Sequence, residues 1–220
     1  MQAVIFDFNG TMFFDTDKHV EAWKIYLRNL FGKDISNEEY NKHVHGKINA
    51  DILAYYMNRT LEISECEQLA EGKEKIYRDL CALDDVNLKL VEGLPELLDY
   101  LKNKKIPFTI ATAATKNNLD FYFEQFDLAR WFTMEQIVYD DGTVRGKPNP
   151  DIYIKAAETL GVHPQNCMVV EDSVTGITAA HSAGVGKIVA ITSDLSSDTL
   201  QSMSCVSAII DNYNGFEKLI

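Results

Sequence analysis

Apolar positions fall into two regimes along this chain. Residues 2–8 form an apolar run centred on Val4–Ile5–Phe6, the pattern of a strand buried on both faces. The period then turns helical. Over residues 17–31, Val20, Trp23, Ile25, Leu27, Leu30 and Phe31 make one broad apolar face, and Gly32 stops it. Segments 37–44, 48–58 and 64–83 continue the helical pattern, the last opening with Ser64 and Glu67 in capping-box spacing. No convincing strand pattern occurs between residues 14 and 88. Beyond 88, short apolar runs alternate with helices. Gly93–Leu94–Pro95 opens a helix to about Asn103, strands follow at 107–112, 168–170, 187–192 and 208–210, and Ile137–Val138–Tyr139 is strand-like. Helices are expected at 118–126, 151–160 and 175–183, the last two ending at Gly161 and Gly184.

Strands alternating with helices imply an α/β fold: a Rossmann-like parallel sheet with helices on both faces. The all-helical block lies between the first strand and the remainder. The simplest organisation is an α/β core of residues 1–14 and 89–220 with a helical insert at 15–88, its hinges near 13–16 and 86–92.

Composition narrows the function. With 46% apolar residues in 220, a sizeable core is available and global disorder is excluded. Thirty-three acidic against 21 basic residues give a formal net charge of −12, which opposes nonspecific nucleic-acid or anionic-membrane binding. A local basic pocket for a phosphate remains compatible with that charge. No apolar run approaches the ~18 residues of a membrane span, and no basic leader pattern is visible at the start. Cys66, Cys81, Cys167 and Cys205 have no metal-ligand spacing, which suits a reducing compartment, so a cytoplasmic location is expected, with a monomer as the default.

Four segments at expected strand ends carry candidate chemistry. In Asp7–Phe8–Asn9–Gly10–Thr11, an apolar run ends in a carboxylate that could ligate a metal or act as a nucleophile, although Asn9–Gly10 equally suits an ordinary turn. Thr112–Ala113–Ala114–Thr115 offers a hydroxyl and backbone N–H groups for an anion, or simply a helix N-cap. In Gly146–Lys147–Pro148–Asn149–Pro150–Asp151 two prolines fix the backbone and aim Lys147, the alternative being a solvated loop lysine. Val169–Val170–Glu171–Asp172–Ser173–Val174–Thr175–Gly176 sets two adjacent carboxylates after a buried strand, where a hard cation such as Mg²⁺ relieves their repulsion; an exposed acidic turn is the alternative.

Nucleophile, hydroxyl, lysine and carboxylate pair occur in that order, each after a strand. In this the whole chain, helical insert included, resembles the haloacid dehalogenase superfamily of phosphohydrolases. Asp15–Thr16–Asp17–Lys18–His19–Val20–Glu21–Ala22–Trp23 and Lys147–Pro148–Asn149–Pro150–Asp151–Ile152–Tyr153 look typical of its β-phosphoglucomutase-like phosphatase branch. The resemblance implies a small phosphorylated metabolite as substrate. It implies an aspartyl-phosphate on Asp7 and phosphoryl oxygens held by Thr112 and Ala113, with charge neutralised by Lys147. Mg²⁺ would be bound by Asp7, the carbonyl of Asn9 and Asp172, with Glu171 assisting directly or through water. The insert would be a cap that closes over the site and reads the substrate, with His19, Lys47, Asn49 and Lys73 as candidate contacts. Among these, His19 and Lys73 match cap residues of the mutase branch.

The departure is Asn9, where the family usually carries the general acid/base Asp. An amide donates a hydrogen bond but cannot carry a proton across, a function worth about 10²–10⁴-fold. The chain could be a variant with weakened turnover, could act on substrates with good leaving groups, or could take the proton from another group, with Asp15, Asp17 and His19 nearest in sequence. Asn49 stands where the mutases hold a phosphate-gripping arginine, which counts against mutase activity. Phe14 replaces an acidic residue usual in the branch. The alternatives are a β-phosphoglucomutase-like isomerase and a noncatalytic phosphometabolite-binding protein.

Overall fold

A computed structural model of the chain describes residues 2–44, 49–193 and 197–220. It divides into two compact units, one of residues 1–14 and 89–220 and one of residues 15–88. Lys47, a candidate substrate contact, lies outside the described residues.

The first unit is built on five parallel strands, β1 (Ala3–Phe6), β2 (Phe108–Ile110), β3 (Cys167–Glu171), β4 (Lys187–Ile191) and β5 (Ala208–Ile210), in the order β2-β1-β3-β4-β5. Val4–Ile5–Phe6 pairs with Phe108–Thr109–Ile110 on one side and Met168–Val169–Val170 on the other, so β1 is buried on both faces. One face packs Ile5, Val169, Ile188 and Ala190 against Tyr153, Ala156, Ile177 and Ala180. Burying such apolar surface is the main drive for this layer, at about 25 cal/mol per Å². The order reverses at β1: the chain places β2 on one side of it and β3 on the other. In open α/β sheets a ligand crevice opens at that reversal, beyond the carboxyl ends of the strands.

The second unit contains helices α1 (Thr16–Phe31), α2 (Asn37–His43), α3 (Asn49–Met57) and α4 (Ile63–Ala82). Trp23, Tyr26, Leu27, Ile35, Tyr40, Val44, Ile52 and Leu53 form its core, the face set by the helical period of the sequence. Gly32 ends α1 in the left-handed region at φ 65°, where its N–H reaches the Arg28 carbonyl. The first unit adds α5 (Leu94–Lys104), α6 (Lys116–Phe126), α7 (Asp151–Thr159), α8 (Val174–Ser182) and the short α9 (Ser197–Gln201).

Several expected boundaries shift. β1 stops at Phe6, because the Phe8 carbonyl accepts the N–H groups of Thr11, Met12 and Phe13 and turns the chain. The 137–139 run makes a single bridge, Val138 to Ala111, because an Asp140–Asp141–Gly142 turn follows at once. Helix α4 starts at Ile63 with extended Glu62 as its cap, so Ser64 lies inside the helix rather than capping it. Helix α9 carried no clear sequence signal.

Candidate active site

All four candidate segments meet at the carboxyl edge of the sheet. Asp7 follows the last residue of β1, and its N–H bonds the Val170 carbonyl of β3 at 3.0 Å, so the nucleophile candidate sits at the reversal point. Asp7 is buried, with 6% of the residue exposed. Thr112 follows β2 by two residues and is buried; its N–H bonds the Val138 carbonyl and its Oγ1 accepts from Ala114 N at 3.0 Å. The N-cap of α6 is Thr115, the last residue of that segment. Ala113 between them is exposed.

Lys147 is the centre of the cluster. Its Nζ lies 2.5 Å from Asp7 Oδ1 and 2.7 Å from Glu171 Oε1, and 5.1 Å from the centre of the Tyr153 ring. The lysine side chain is 9% exposed, which rules out a solvated loop residue. The loop that delivers it folds back on itself: Asn149 donates to the Gly146 carbonyl through both its backbone N–H and its side chain, and α7 then begins at Asp151.

Glu171, the last residue of β3, is fully buried rather than part of an exposed acidic turn. Oε1 accepts from Lys147 and from Tyr153 Oη at 3.0 Å. Oε2 accepts from the N–H groups of Asp172 and Ser173, each at 2.8 Å, and from Ser173 Oγ at 3.0 Å. Space for it comes from Gly176: a Cβ there would stand 1.6 Å from Oε1. Asp172 accepts from Ser193 Oγ at 2.8 Å, beyond the end of β4, and from Thr11 Oγ1 at 3.4 Å. Gly10 makes room for it in turn, at φ 71° with a built Cβ only 2.1 Å from Asp172 Oδ2.

Oxygens of Asp7, Glu171 and Asp172 lie within 4.8 Å of one another. Three carboxylates thus share one ammonium. Burial first, and then the Glu171 charge, lift Asp7 to about 7 although Lys147 pulls it down. Burial, Glu171 and Asp7 hold Asp172 well above the carboxylate range. Burial would raise Glu171 too, but Lys147 and the Ser173 donors outweigh it and lower it. Burial would lower Lys147, yet the charges of Asp7 and Glu171 keep it well above its ordinary value. The cluster is short of positive charge. Its hard oxygen donors fit a divalent cation such as Mg²⁺.

Asn9 is half-buried, and its Nδ2 donates to Tyr122 Oη at 2.7 Å. His19 and Lys73 belong to the helical unit, where they meet each other: Lys73 Nζ lies 2.7 Å from His19 Nδ1 and 2.9 Å from Glu74 Oε1. His19 stacks on Tyr77 at 3.9 Å, and Tyr77 donates to Asp15. Lys73 is almost fully buried, and that burial lowers its pKa. Tyr122, Tyr153, Ser173, Gly176 and Ser193 escaped the sequence reading as site residues. Tyr153, Ser173 and Gly176 stood within quoted motifs, whereas Tyr122 and Ser193 carried no signal apart from an aromatic on a helix face and a serine past a strand.

An Asp–Lys–carboxylate cluster at the reversal point of a 2-1-3-4-5 parallel sheet, interrupted after β1 by a helical insert, defines the class. The family model of the haloacid dehalogenase-like hydrolases matches residues 1–184. The chain belongs to this family and is an enzyme of its phosphatase kind, in the β-phosphoglucomutase-like branch with an inserted helical cap. A solved HAD hydrolase of family IA, variant 3, from Entamoeba histolytica HM-1:IMSS superposes with a TM-score of 0.91 at 35% identity, over 97% of this chain and 94% of that one. The phosphorylated carbohydrates phosphatase of Thermotoga maritima is 29% identical over 195 residues, 89% of this chain and 87% of its own length. The β-phosphoglucomutase of Bacillus subtilis is 28% identical over 188 residues, 84% of this chain and 81% of its own.

Proposed function

We propose that this chain is a Mg²⁺-dependent phosphatase of a small phosphorylated metabolite, specifically a sugar phosphate, working through an aspartyl-phosphate on Asp7. The observation that carries the reading is the Asp7 carboxylate at the end of β1, held 2.5 Å from Lys147 in a cluster of three carboxylates. The Thermotoga relative, a phosphatase of phosphorylated carbohydrates, supports the substrate class.

An Asp7 oxygen attacks phosphorus, and the bond from phosphorus to the substrate oxygen breaks. Lys147 offsets negative charge between the carboxylate and the phosphoryl group. The Thr112 hydroxyl and the Ala113 N–H hold the phosphoryl oxygens, which is the positioning and charge stabilisation that phosphoryl transfer needs most. Bound by Asp7, Asp172 and the Asn9 carbonyl, Mg²⁺ would supply further positive charge against the phosphoryl oxygens. Glu171 already accepts five hydrogen bonds, so it serves by holding Lys147 and by contacts through water. Water then attacks the phosphorus, the bond to Asp7 breaks, and inorganic phosphate leaves. Asn9 supplies no proton, so the departing oxygen takes one from water, which slows turnover on poor leaving groups. His19 and Lys73 are assigned to substrate selection.

Mg²⁺-dependent hydrolysis of p-nitrophenyl phosphate by this chain and by Asn9→Asp, side by side, tests the reading. Asn9→Asp is expected to gain about 10²-fold or more. Asp7→Asn is expected to abolish turnover while the fold stays intact, and persisting turnover in it overturns the nucleophile assignment.

A further inference from the structure

Position 9 does not hold a bare amide. The Asn9 Nδ2 donates to Tyr122 Oη at 2.7 Å across 113 residues of chain. Neither partner has much freedom to move. Asn9 sits in a turn whose Phe8 carbonyl accepts three N–H groups, and the Gly10 N–H donates to the Phe13 carbonyl at 2.8 Å. Tyr122 is fully buried on α6, stacked on Phe8 with ring centres 4.2 Å apart, and flanked by Phe121 and Phe126. Its hydroxyl therefore joins the turn that carries Asp7 to the helix that follows Thr112 and Ala113.

We propose that Tyr122 is a positioning residue for Asn9, fixing which end of the amide serves the reaction. The inference rests on the phosphatase reading above for its catalytic consequence, though not for the bond itself. An amide has one donor end and one acceptor end. With its nitrogen engaged by a phenol that cannot turn away, the oxygen occupies the other branch of the fork. That end accepts a hydrogen bond from the attacking water and orients it, as a glutamine does in GTPases. Hydrolysis of the aspartyl-phosphate then keeps part of its assistance, while protonation of the leaving oxygen loses its own. The pairing also explains how position 9 accommodates either side chain. A carboxylate there would accept from the same hydroxyl, so Tyr122 serves an amide as acceptor and an acid as donor.

Tyr122→Phe keeps the ring and its stacking and removes only the oxygen. Its kcat for p-nitrophenyl phosphate is expected to fall about 3- to 10-fold with KM unchanged, the range of one neutral hydrogen bond. A purely structural role would lower stability and leave the Asn9 amide environment unchanged. Equal kcat in the wild type and Tyr122→Phe overturns the proposal. The side-chain ¹H–¹⁵N signals of Asn9, recognised by their loss in Asn9→Asp, give a readout that needs no turnover. They shift in Tyr122→Phe if the bond exists, and the retained ring leaves ring-current effects in place. If the wild type hydrolyses no phosphomonoester, the phosphatase reading falls. The Asn9 signals then decide the Tyr122 pairing alone, a shift sustaining it and unchanged signals refuting it.

Discussion

Replacing Lys147 with alanine removes the only ammonium that binds the Asp7–Glu171–Asp172 cluster among the described hydrogen bonds, and so tests the electrostatic argument most directly. At 2.5 and 2.7 Å, its two contacts are each worth about 6 kcal/mol of bare attraction at an effective dielectric near 20. Desolvation of the buried groups cancels much of this, and breaking such a pair typically costs about 3–5 kcal/mol of stability. For turnover, loss of one aimed positive group costs about 10²–10³-fold in kcat. The variant also has a pH signature. Asp7 already stands at about 7 with Lys147 pulling it down, so without the lysine its carboxyl is protonated at still higher pH. Attack needs the ionised form, hence the acid limb of kcat/KM must move upward. Steady-state hydrolysis of p-nitrophenyl phosphate from pH 5 to pH 9, with circular dichroism to check folding, reads all three effects. A folded Lys147→Ala protein with kcat within threefold of the wild type and an unmoved limb would refute the assignment.

Three further outcomes are expected. Asp172→Ala should strip the Mg²⁺ dependence together with most of the activity, measured by titrating Mg²⁺ into chelator-treated protein; a wild-type Mg²⁺ response in the folded variant contradicts Asp172 as a ligand. Metal-free protein should lose stability as pH rises from about 4 to about 7, because folded Asp7, raised to about 7, holds a proton that the unfolded carboxyl has already released. Mg²⁺ should therefore raise the melting temperature more at pH 8 than at pH 5, and Asp7→Asn should flatten the chelator profile; a metal-free protein that gains stability over that window contradicts the buried-carboxylate argument. Gly176→Ala should cost several kcal/mol, since its Cβ would fall 1.6 Å from an oxygen of the Glu171 carboxylate, which cannot leave its five donors cheaply; denaturant unfolding with an unchanged midpoint would contradict that.

Asp7, Lys147 and Asp172 were legible in the chain because each follows a landmark that local sequence encodes: the end of an apolar run, a proline-framed loop, an acidic pair after a buried strand. The change from strand and helix alternation to an unbroken helical period likewise marked the insert, because side-chain burial follows backbone periodicity directly. Sequence could not say which partner each polar atom would find. Lys147 reaches Asp7 across 140 residues, and only the parallel pairing of β1 with β3 brings Glu171 to the same ammonium. Nor could it separate Tyr122 from the core aromatics around it. The helical period buries all of them alike, and the hydroxyl gains meaning only where α6 lays it against the turn after β1. The run around Val138 stops at one bridge because a turn follows it, and Ser64 does not cap α4 because the helix begins one residue earlier, at Ile63. Local pattern thus determined the layers and the residues offered at their edge, and the strand order determined which of those residues meet around one ammonium.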